Sequence, residues 1–170
     1  MKKLVVLALG LVISLGALAQ ENHNPLKNKK LPSVTIKDMD GKSINTSELS
    51  NDGKPVIISF WATWCSPCKR ELNAINDEYV DWVDETGVKL VAVSIDNTRS
   101  AARVKPYVNG SGWEYDIWMD TNEDFKRAMG VNNVPHTFVI DKDGYIVYSH
   151  NNYAPGDEQK LYEKIKELTE

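Results

Sequence analysis

The chain of 170 residues carries 20 Lys and Arg against 24 Asp and Glu, a net charge of −4, with 42% hydrophobic and 26% charged residues. This length suits one domain with a buried core, and the composition excludes a disordered chain, a collagen-like fibre and a protein with several membrane spans. The acidic balance also argues against nucleic acid as a partner, because phosphates attract clustered Lys and Arg.

The first 19 residues have the pattern of a secretory signal peptide. Lys2 and Lys3 precede an uncharged apolar stretch that ends in small residues at Ala17 and Ala19. The alternative is a membrane anchor, but this stretch falls short of the roughly 20 apolar residues that span a bilayer. We therefore expect cleavage near Ala19 and a periplasmic or otherwise extracytoplasmic location, where disulfides persist.

The next part of the chain predicts a short lead and the opening of one domain. Residues 20–30 are polar and are expected to form a flexible lead before a domain over 31–170. Residues 34–36 and 43–44 flank an Asp-Gly turn signal at Asp40, which predicts an antiparallel β-hairpin.

A buried strand and an amphipathic helix follow the hairpin. Residues 56–61 form a continuous apolar run, typical of a central strand covered on both faces. From Cys65 to Gly87 the apolar spacing becomes helical. The residues of this apolar stripe are Cys68, Leu72, Ile75, Tyr79 and Trp82.

The remaining pattern alternates strands and helices. The predicted elements are a buried strand over 89–95, a helix over 98–108 kinked at Pro106, a loop over 109–112, a strand over 115–119, a helix over 123–129, a hairpin of 137–140 with 145–148, and a closing helix capped by Asp157. This order predicts an α/β fold, with a mixed sheet and helices on both faces.

Almost all of the functional signal surrounds the only two cysteines, Cys65 and Cys68. Two cysteines three apart at the start of a helix have Cα atoms about 5 to 6 Å apart, within the range of a disulfide. The free N–H groups and the positive dipole end of the helix stabilise a thiolate. We expect Cys65, at the helix mouth, to be the exposed nucleophile, and Cys68, on the buried stripe, to be the resolving thiol.

Two other interpretations of the cysteine pair are weaker. A structural disulfide of this spacing would close a very short loop and stabilise the fold little. A zinc site normally takes four ligands, and His23, His136 and His150 are scattered along the chain. We therefore predict a redox pair, with neither a metal nor a cofactor.

The run from Phe60 to Lys69, FWATWCSPCK, with Val134 and Pro135 further on, resembles the thioredoxin superfamily over roughly residues 31–168. The export signal, the opening hairpin and Glu71 make the chain most similar to the TlpA/ResA-like branch of extracytoplasmic thiol-disulfide oxidoreductases. The resemblance implies a thioredoxin-like fold with an N-terminal β-hairpin extension.

The same resemblance implies roles for the residues around the thiols. Pro135 is expected to be a cis-proline against the disulfide, so that the Val134 backbone pairs with a bound partner, whereas the alternative is an ordinary proline at a strand start. Trp64 is expected to support docking. Ser66 and Pro67, between the thiols, are expected to tune the redox potential.

Glu71 is the candidate proton acceptor. It follows Cys68 by three residues on the helix, so their side chains are neighbours. Thioredoxin itself carries a buried acid at the place of Ser59, and the resemblance to the ResA-like branch assigns that task to Glu71. The alternative is a solvated carboxylate. His136, which follows the expected cis-proline, is interpreted as a spectator.

The resemblance implies an exported enzyme that exchanges electrons with protein disulfides and dithiols and acts as a reductant, serving cytochrome c maturation or cell redox homeostasis. It further implies a membrane electron donor and a monomeric state. Two alternatives come from other classes: a thiol peroxidase that uses Cys65, and a copper-binding redox module that uses Cys65, Cys68 and His136.

Overall fold

The computed structural model describes residues 26–170. The predicted signal peptide and the first part of the lead lie outside these residues. Within residues 26–170, no helix is long and apolar enough to cross a membrane.

In the described part of the chain, seven strands form one mixed sheet in the order β2-β1-β5-β4-β3-β6-β7. They are β1 (Thr35–Asp38), β2 (Ser43–Asn45), β3 (Val56–Trp61), β4 (Lys89–Ser94), β5 (Asp116–Met119), β6 (His136–Ile140) and β7 (Ile146–Asn151). Strands β3, β4 and β5 are parallel, and the other neighbours are antiparallel. The predicted opening hairpin is the pair of β1 and β2.

Helices cover both faces of this sheet. They are α1 (Ser66–Thr86), α2 (Val104–Ser111), α3 (Asp124–Ala128) and α4 (Asp157–Lys166). Adjacent residues of a strand point to opposite faces. The ring of Trp61 lies 5.8 Å from that of Tyr107 in α2, whereas the ring of Phe60 lies 5.2 Å from that of Phe125 in α3. The predicted α/β architecture is therefore confirmed.

The core lies around β3, all six residues of which are buried. Helix α1 packs against it through the predicted stripe, in which Tyr79 alone is half-buried. The helix ends as predicted at Gly87, whose left-handed φ of 67° suits a residue without a Cβ. These two elements hold both cysteines at one edge of the core.

The second helix differs from its prediction. A 3-10 turn over Ala101–Arg103 precedes α2, which begins only at Val104, so Pro106 lies in the first helical turn rather than at a kink. A proline is tolerated there because first-turn N–H groups have no partner within the helix. The residues predicted as a loop after 108 continue α2 to Ser111, and Gly112 ends it with a φ of 66°.

The end of the predicted flexible lead is attached to the sheet. The Asn28 N–H donates to the Ile146 carbonyl at 2.7 Å, and the Ile146 N–H donates to the Lys29 carbonyl at 2.9 Å. Polar composition alone did not indicate this pairing, because backbone groups form it.

The start of α4 is shifted by one residue from its prediction. Gly156 is the N-cap, and Asp157 is the first helical residue rather than the cap. The Asp157 carboxylate instead accepts a bond of 2.8 Å from the Ala154 N–H, outside the helix. Asp157 thereby fixes the loop that enters α4.

Candidate active site

Cys65 and Cys68 form a disulfide at the N-terminus of α1, with their Cα atoms 5.4 Å apart. Cys65 is the N-cap residue, and its Sγ accepts a bond of 3.3 Å from the Cys68 N–H. The same N–H can stabilise a thiolate on Cys65 when the pair is reduced. Cys65 is only 5% exposed and Cys68 is fully buried, so the expectation of an exposed Cys65 is wrong for the oxidised pair.

The backbone before β6 lies against Cys65. The Val134 carbonyl oxygen lies 3.7 Å from the Cys65 Sγ, and the Val134–Pro135 peptide bond is cis, as the resemblance implied. Val134 is half-buried. Trp64 precedes Cys65 and has 61% of its surface exposed. Val134 thus lies directly against the Cys65 sulfur, and the exposed indole belongs to the residue that precedes Cys65 in the chain.

The residues between the thiols begin the helix. Ser66 and Pro67 occupy the first two positions of α1. The Ser66 hydroxyl accepts a bond of 3.2 Å from Arg70, and the Lys69 amine lies 5.3 Å from the ring of Tyr107. Both cations of this turn therefore have partners within the chain.

A buried cluster of one carboxyl and two hydroxyls lies next to the disulfide along α1. Glu71 is buried. The Ser59 hydroxyl of β3 lies 3.2 Å from its Oε2, and the Thr137 hydroxyl of β6 lies 2.8 Å from its Oε1. The two hydroxyls are also 3.0 Å apart. Ser59 and Thr137 are paired across β3 and β6, which explains why they meet on one face.

The surroundings bring the pKa of Glu71 close to neutrality. Burial raises it from 4.5 to about 7, while the bonds from Thr137 and Ser59 lower it and the charges of Asp157 and Glu158 raise it. A carboxyl with a pKa near the working pH can both accept and donate a proton. The structure therefore does not support the alternative of a solvated carboxylate.

A second buried carboxylate fixes the loop that precedes Cys65. Asp96 follows β4 and is fully buried. Its oxygens accept bonds from the Thr63 N–H at 2.8 Å and the Thr63 hydroxyl at 2.6 Å, and from the Ser94 hydroxyl at 3.0 Å. Sequence reasoning missed this contact, although an acid directly after a buried parallel strand lies at the sheet edge where functional groups collect.

His136 lies on the face of the sheet opposite to Glu71. It pairs with Phe60 across the ladder, and its ring stacks on that of Phe138 with centroids 4.3 Å apart. Burial lowers its pKa to about 4. In the part of the chain that the structure describes, no group of three or more His, Cys, Asp or Glu could hold a metal ion.

The chain resembles known proteins in sequence and in structure. Residues 28–149 match the model of the AhpC/TSA family. The thiol-disulfide oxidoreductase ResA of Bacillus thuringiensis (strain Al Hakam) is 32% identical over 163 residues, which cover 96% of this chain and 85% of the relative.

Two solved structures show the same fold. A thioredoxin-like protein from Porphyromonas gingivalis is 52% identical with a TM-score of 0.74, covering 82% of this chain and 91% of the other. StoA from Bacillus subtilis is 23% identical with a TM-score of 0.62, covering 78% and 96%. The family match contains both cysteines, Glu71 and Pro135. The chain therefore belongs to the AhpC/TSA family and is a thioredoxin-like thiol-disulfide oxidoreductase related to ResA.

Proposed function

We propose that this enzyme works outside the cytoplasm and reduces disulfide bonds of other proteins. The observation that carries the proposal is the buried Glu71 carboxyl, one helical turn after Cys68, with a pKa of about 7. Reduction requires a group that takes the proton of the resolving thiol, and a carboxyl poised near neutrality performs this task.

The reaction runs in two exchange steps. The Cys65 thiolate attacks one sulfur of the substrate disulfide, and the other substrate sulfur leaves as a thiolate. Cys68 then passes its proton to Glu71 and attacks the Cys65 sulfur, which releases the second substrate thiolate. The substrate gains two electrons, and the enzyme ends with the Cys65–Cys68 disulfide found in the structure.

The substrate is a protein or peptide that lies along the backbone before Pro135. The Val134 carbonyl lies 3.7 Å from the Cys65 Sγ, so it can accept a hydrogen bond from the backbone of a peptide bound next to the reacting sulfur. The exposed indole of Trp64 supplies apolar docking area with a polar edge. These features favour an extended peptide as the ligand. We further propose that the enzyme acts as a monomer.

The N-terminal signal pattern supports the location. In that compartment the oxidised enzyme needs a membrane electron donor to regain its dithiol form. Cytochrome c maturation and general redox homeostasis are the two processes that such a reductant would serve. The direction of electron transfer is tested by measuring the reduction potential of the Cys65–Cys68 pair in equilibrium with glutathione. A potential of about −270 mV supports a reductant, whereas one of about −120 mV contradicts it.

A trapping experiment tests the substrate class. In the Cys68→Ala variant the mixed disulfide on Cys65 cannot be resolved, so substrates stay attached. We expect protein adducts in the export compartment that dithiothreitol releases, identified by mass spectrometry. The variant that lacks both cysteines is the matched control. Finding no adduct, or the same adducts in the control, would contradict a protein disulfide as the substrate.

A further inference from the structure

A small cavity adjoins Glu71 where β6 and β7 meet α4. The polar residues around it that bear on proton transfer are Glu71, Thr137, Tyr148, His150, Asp157 and Glu158. The cavity therefore connects the proposed proton acceptor with a group of side chains that the exchange steps do not use.

His150 is placed to reach both the cavity and the solvent. It lies directly opposite Thr137 in the ladder of β6 and β7, so the two side chains are neighbours on one face. Its Nε2 is buried and has no hydrogen-bond partner, but it lies 3.3 Å from the Asp157 Oδ2, within ion-pair distance. The side chain as a whole is 33% exposed.

Resting on the proposed role of Glu71, we propose that His150 is the proton outlet of this active site. It accepts across the cavity the proton that Glu71 has received from Cys68, and it passes that proton to the solvent. When an electron donor reduces the disulfide again, protons move in the opposite direction, from the solvent through His150 to Glu71.

Proton balance explains why an outlet is needed. Each resolution step moves one proton from the Cys68 thiol to the Glu71 carboxylate. Because the pKa of Glu71 is about 7 in the oxidised protein, this proton leaves near and above neutral pH, and a proton must return to Cys68 when the pair is reduced again. Glu71 is buried and cannot release the proton directly to bulk water. Imidazole ordinarily exchanges protons near neutral pH, which makes a histidine the natural carrier.

Charged side chains of α4 lie around the cavity next to His150. The Asp157 carboxylate faces His150 and also accepts a bond from Lys160 at 2.8 Å. The charges of Asp157 and Glu158 both raise the pKa of Glu71. At this end of α4, the negative charges of Asp157 and Glu158 therefore favour protonation of Glu71. The positive charge of Lys160 partly offsets that of Asp157.

The other groups at the cavity are poor carriers. Burial raises the pKa of Tyr148 above its ordinary value. Tyr153 does not line the cavity but donates to Glu158, which does; burial and that bond raise the pKa of Tyr153 to about 12. The bond from Lys160 lowers the pKa of Asp157, which stays ionised. His150 is the cavity residue that lies directly opposite Thr137 and also reaches the solvent.

The test follows the two exchange steps with the aromatic disulfide DTNB. The reduced enzyme releases one thionitrobenzoate when Cys65 attacks and a second when Cys68 resolves the mixed disulfide; we call this second release the resolution phase. At about pH 6, below the pKa of Glu71, most molecules must lose the Glu71 proton before Cys68 can attack.

We expect His150→Gln to slow the resolution phase about tenfold at this pH, less than the loss of a direct proton acceptor. Free imidazole, added at constant pH and ionic strength, restores the rate because it replaces the missing carrier. The wild-type rate does not depend on imidazole. The matched control is His136→Gln. His136 interacts electrostatically with His150 but lies on the opposite face of the sheet and does not line the cavity, so the resolution phase of this variant stays independent of imidazole.

Asp157→Asn is the second variant, since it keeps an oxygen for the Ala154 N–H but removes the charge opposite His150. We expect a smaller slowing that imidazole also relieves. A His150→Gln enzyme that keeps the wild-type rate, or slows without any response to imidazole, overturns the outlet. Glu71→Gln separates the two proposals. If this variant leaves the resolution phase unchanged, the proposed role of Glu71 is wrong too. If Glu71→Gln slows the resolution phase but His150→Gln does not, only the outlet is wrong.

Discussion

The Glu71 carboxyl of α1 lies 3.2 Å from the Ser59 hydroxyl of β3. The resemblance to thioredoxin implies a strand acid at the position of Ser59, and here an acid from the helix reaches that place. The small Ser59 side chain leaves room for the longer Glu71, and its hydroxyl donates to the carboxylate. The buried carboxyl beside Ser59 thus comes from a helix rather than from the strand.

The raised pKa of Glu71 makes stability depend on pH. The pKa is about 7 in the folded protein and 4.5 in its unperturbed state, so between these values the folded state binds more protons than the unfolded chain. The free energy of unfolding therefore falls as pH rises through this window, by about 3 kcal/mol between about pH 4 and pH 8.

Urea denaturation of the oxidised protein at both ends of the window measures this loss. Glu71→Gln has no carboxyl to ionise, so its loss of stability is smaller than that of the wild type by about 3 kcal/mol. Asp84→Asn, at an exposed acid of the same helix, is the matched control and follows the wild type. Parallel pH profiles for wild type and Glu71→Gln would show that Glu71 does not titrate in this window.

Thr137→Val tests the hydroxyl that contacts Glu71 at 2.8 Å. This bond lowers the pKa of the carboxyl, so its removal raises that pKa further, by about one unit. We expect the midpoint of the pH profile of the resolution phase to move to higher pH by the same amount. The profile of Thr137→Ser, which keeps the hydroxyl, stays near that of the wild type. A midpoint that stays in place or falls in Thr137→Val contradicts the assignment.

Thr63→Val tests the hydrogen bond between Thr63 and Asp96, which fixes the loop that precedes Cys65. The hydroxyl bond of 2.6 Å to the fully buried Asp96 is lost, and a buried carboxylate oxygen is left without that donor. We expect the free energy of unfolding to fall by about 2 kcal/mol, as measured by urea denaturation. Thr63→Ser keeps the hydroxyl and recovers most of the loss. Equal stability of the valine and serine variants would show that the bond does not matter.

Much of the fold could be predicted because local patterns set it. The apolar run of β3 and the helical stripe of α1 are strong periodic signals, and Gly87 marks the end of the helix. The errors lie where a local signal has two meanings. Pro106 fits a kink as well as a first turn, and only the position of the preceding 3-10 turn distinguishes them.

The site could be predicted only in part. The spacing of Cys65 and Cys68 on one helix made their pairing geometrically available. Thr137 and His150 approach Glu71 through the pairing of β6 with β3 and β7, and sequence separation hides such contacts. The alternation of a strand tells which residues share a face but not which strand lies next to it.

The exposed indole of Trp64 leads to the last prediction. Trp64 is 61% exposed beside the reactive sulfur, and Val80 on the outer face of α1 is equally exposed at 62%. Trp64→Ala removes apolar area that a protein substrate would cover, so kcat/KM for a protein disulfide should fall about tenfold. Val80→Ala, the matched control, leaves it unchanged. The first release from DTNB changes little in either variant, because this small disulfide needs no docking surface. If Trp64→Ala slowed DTNB as much as the protein substrate, Trp64 would act on the thiol itself, and docking would be the wrong role.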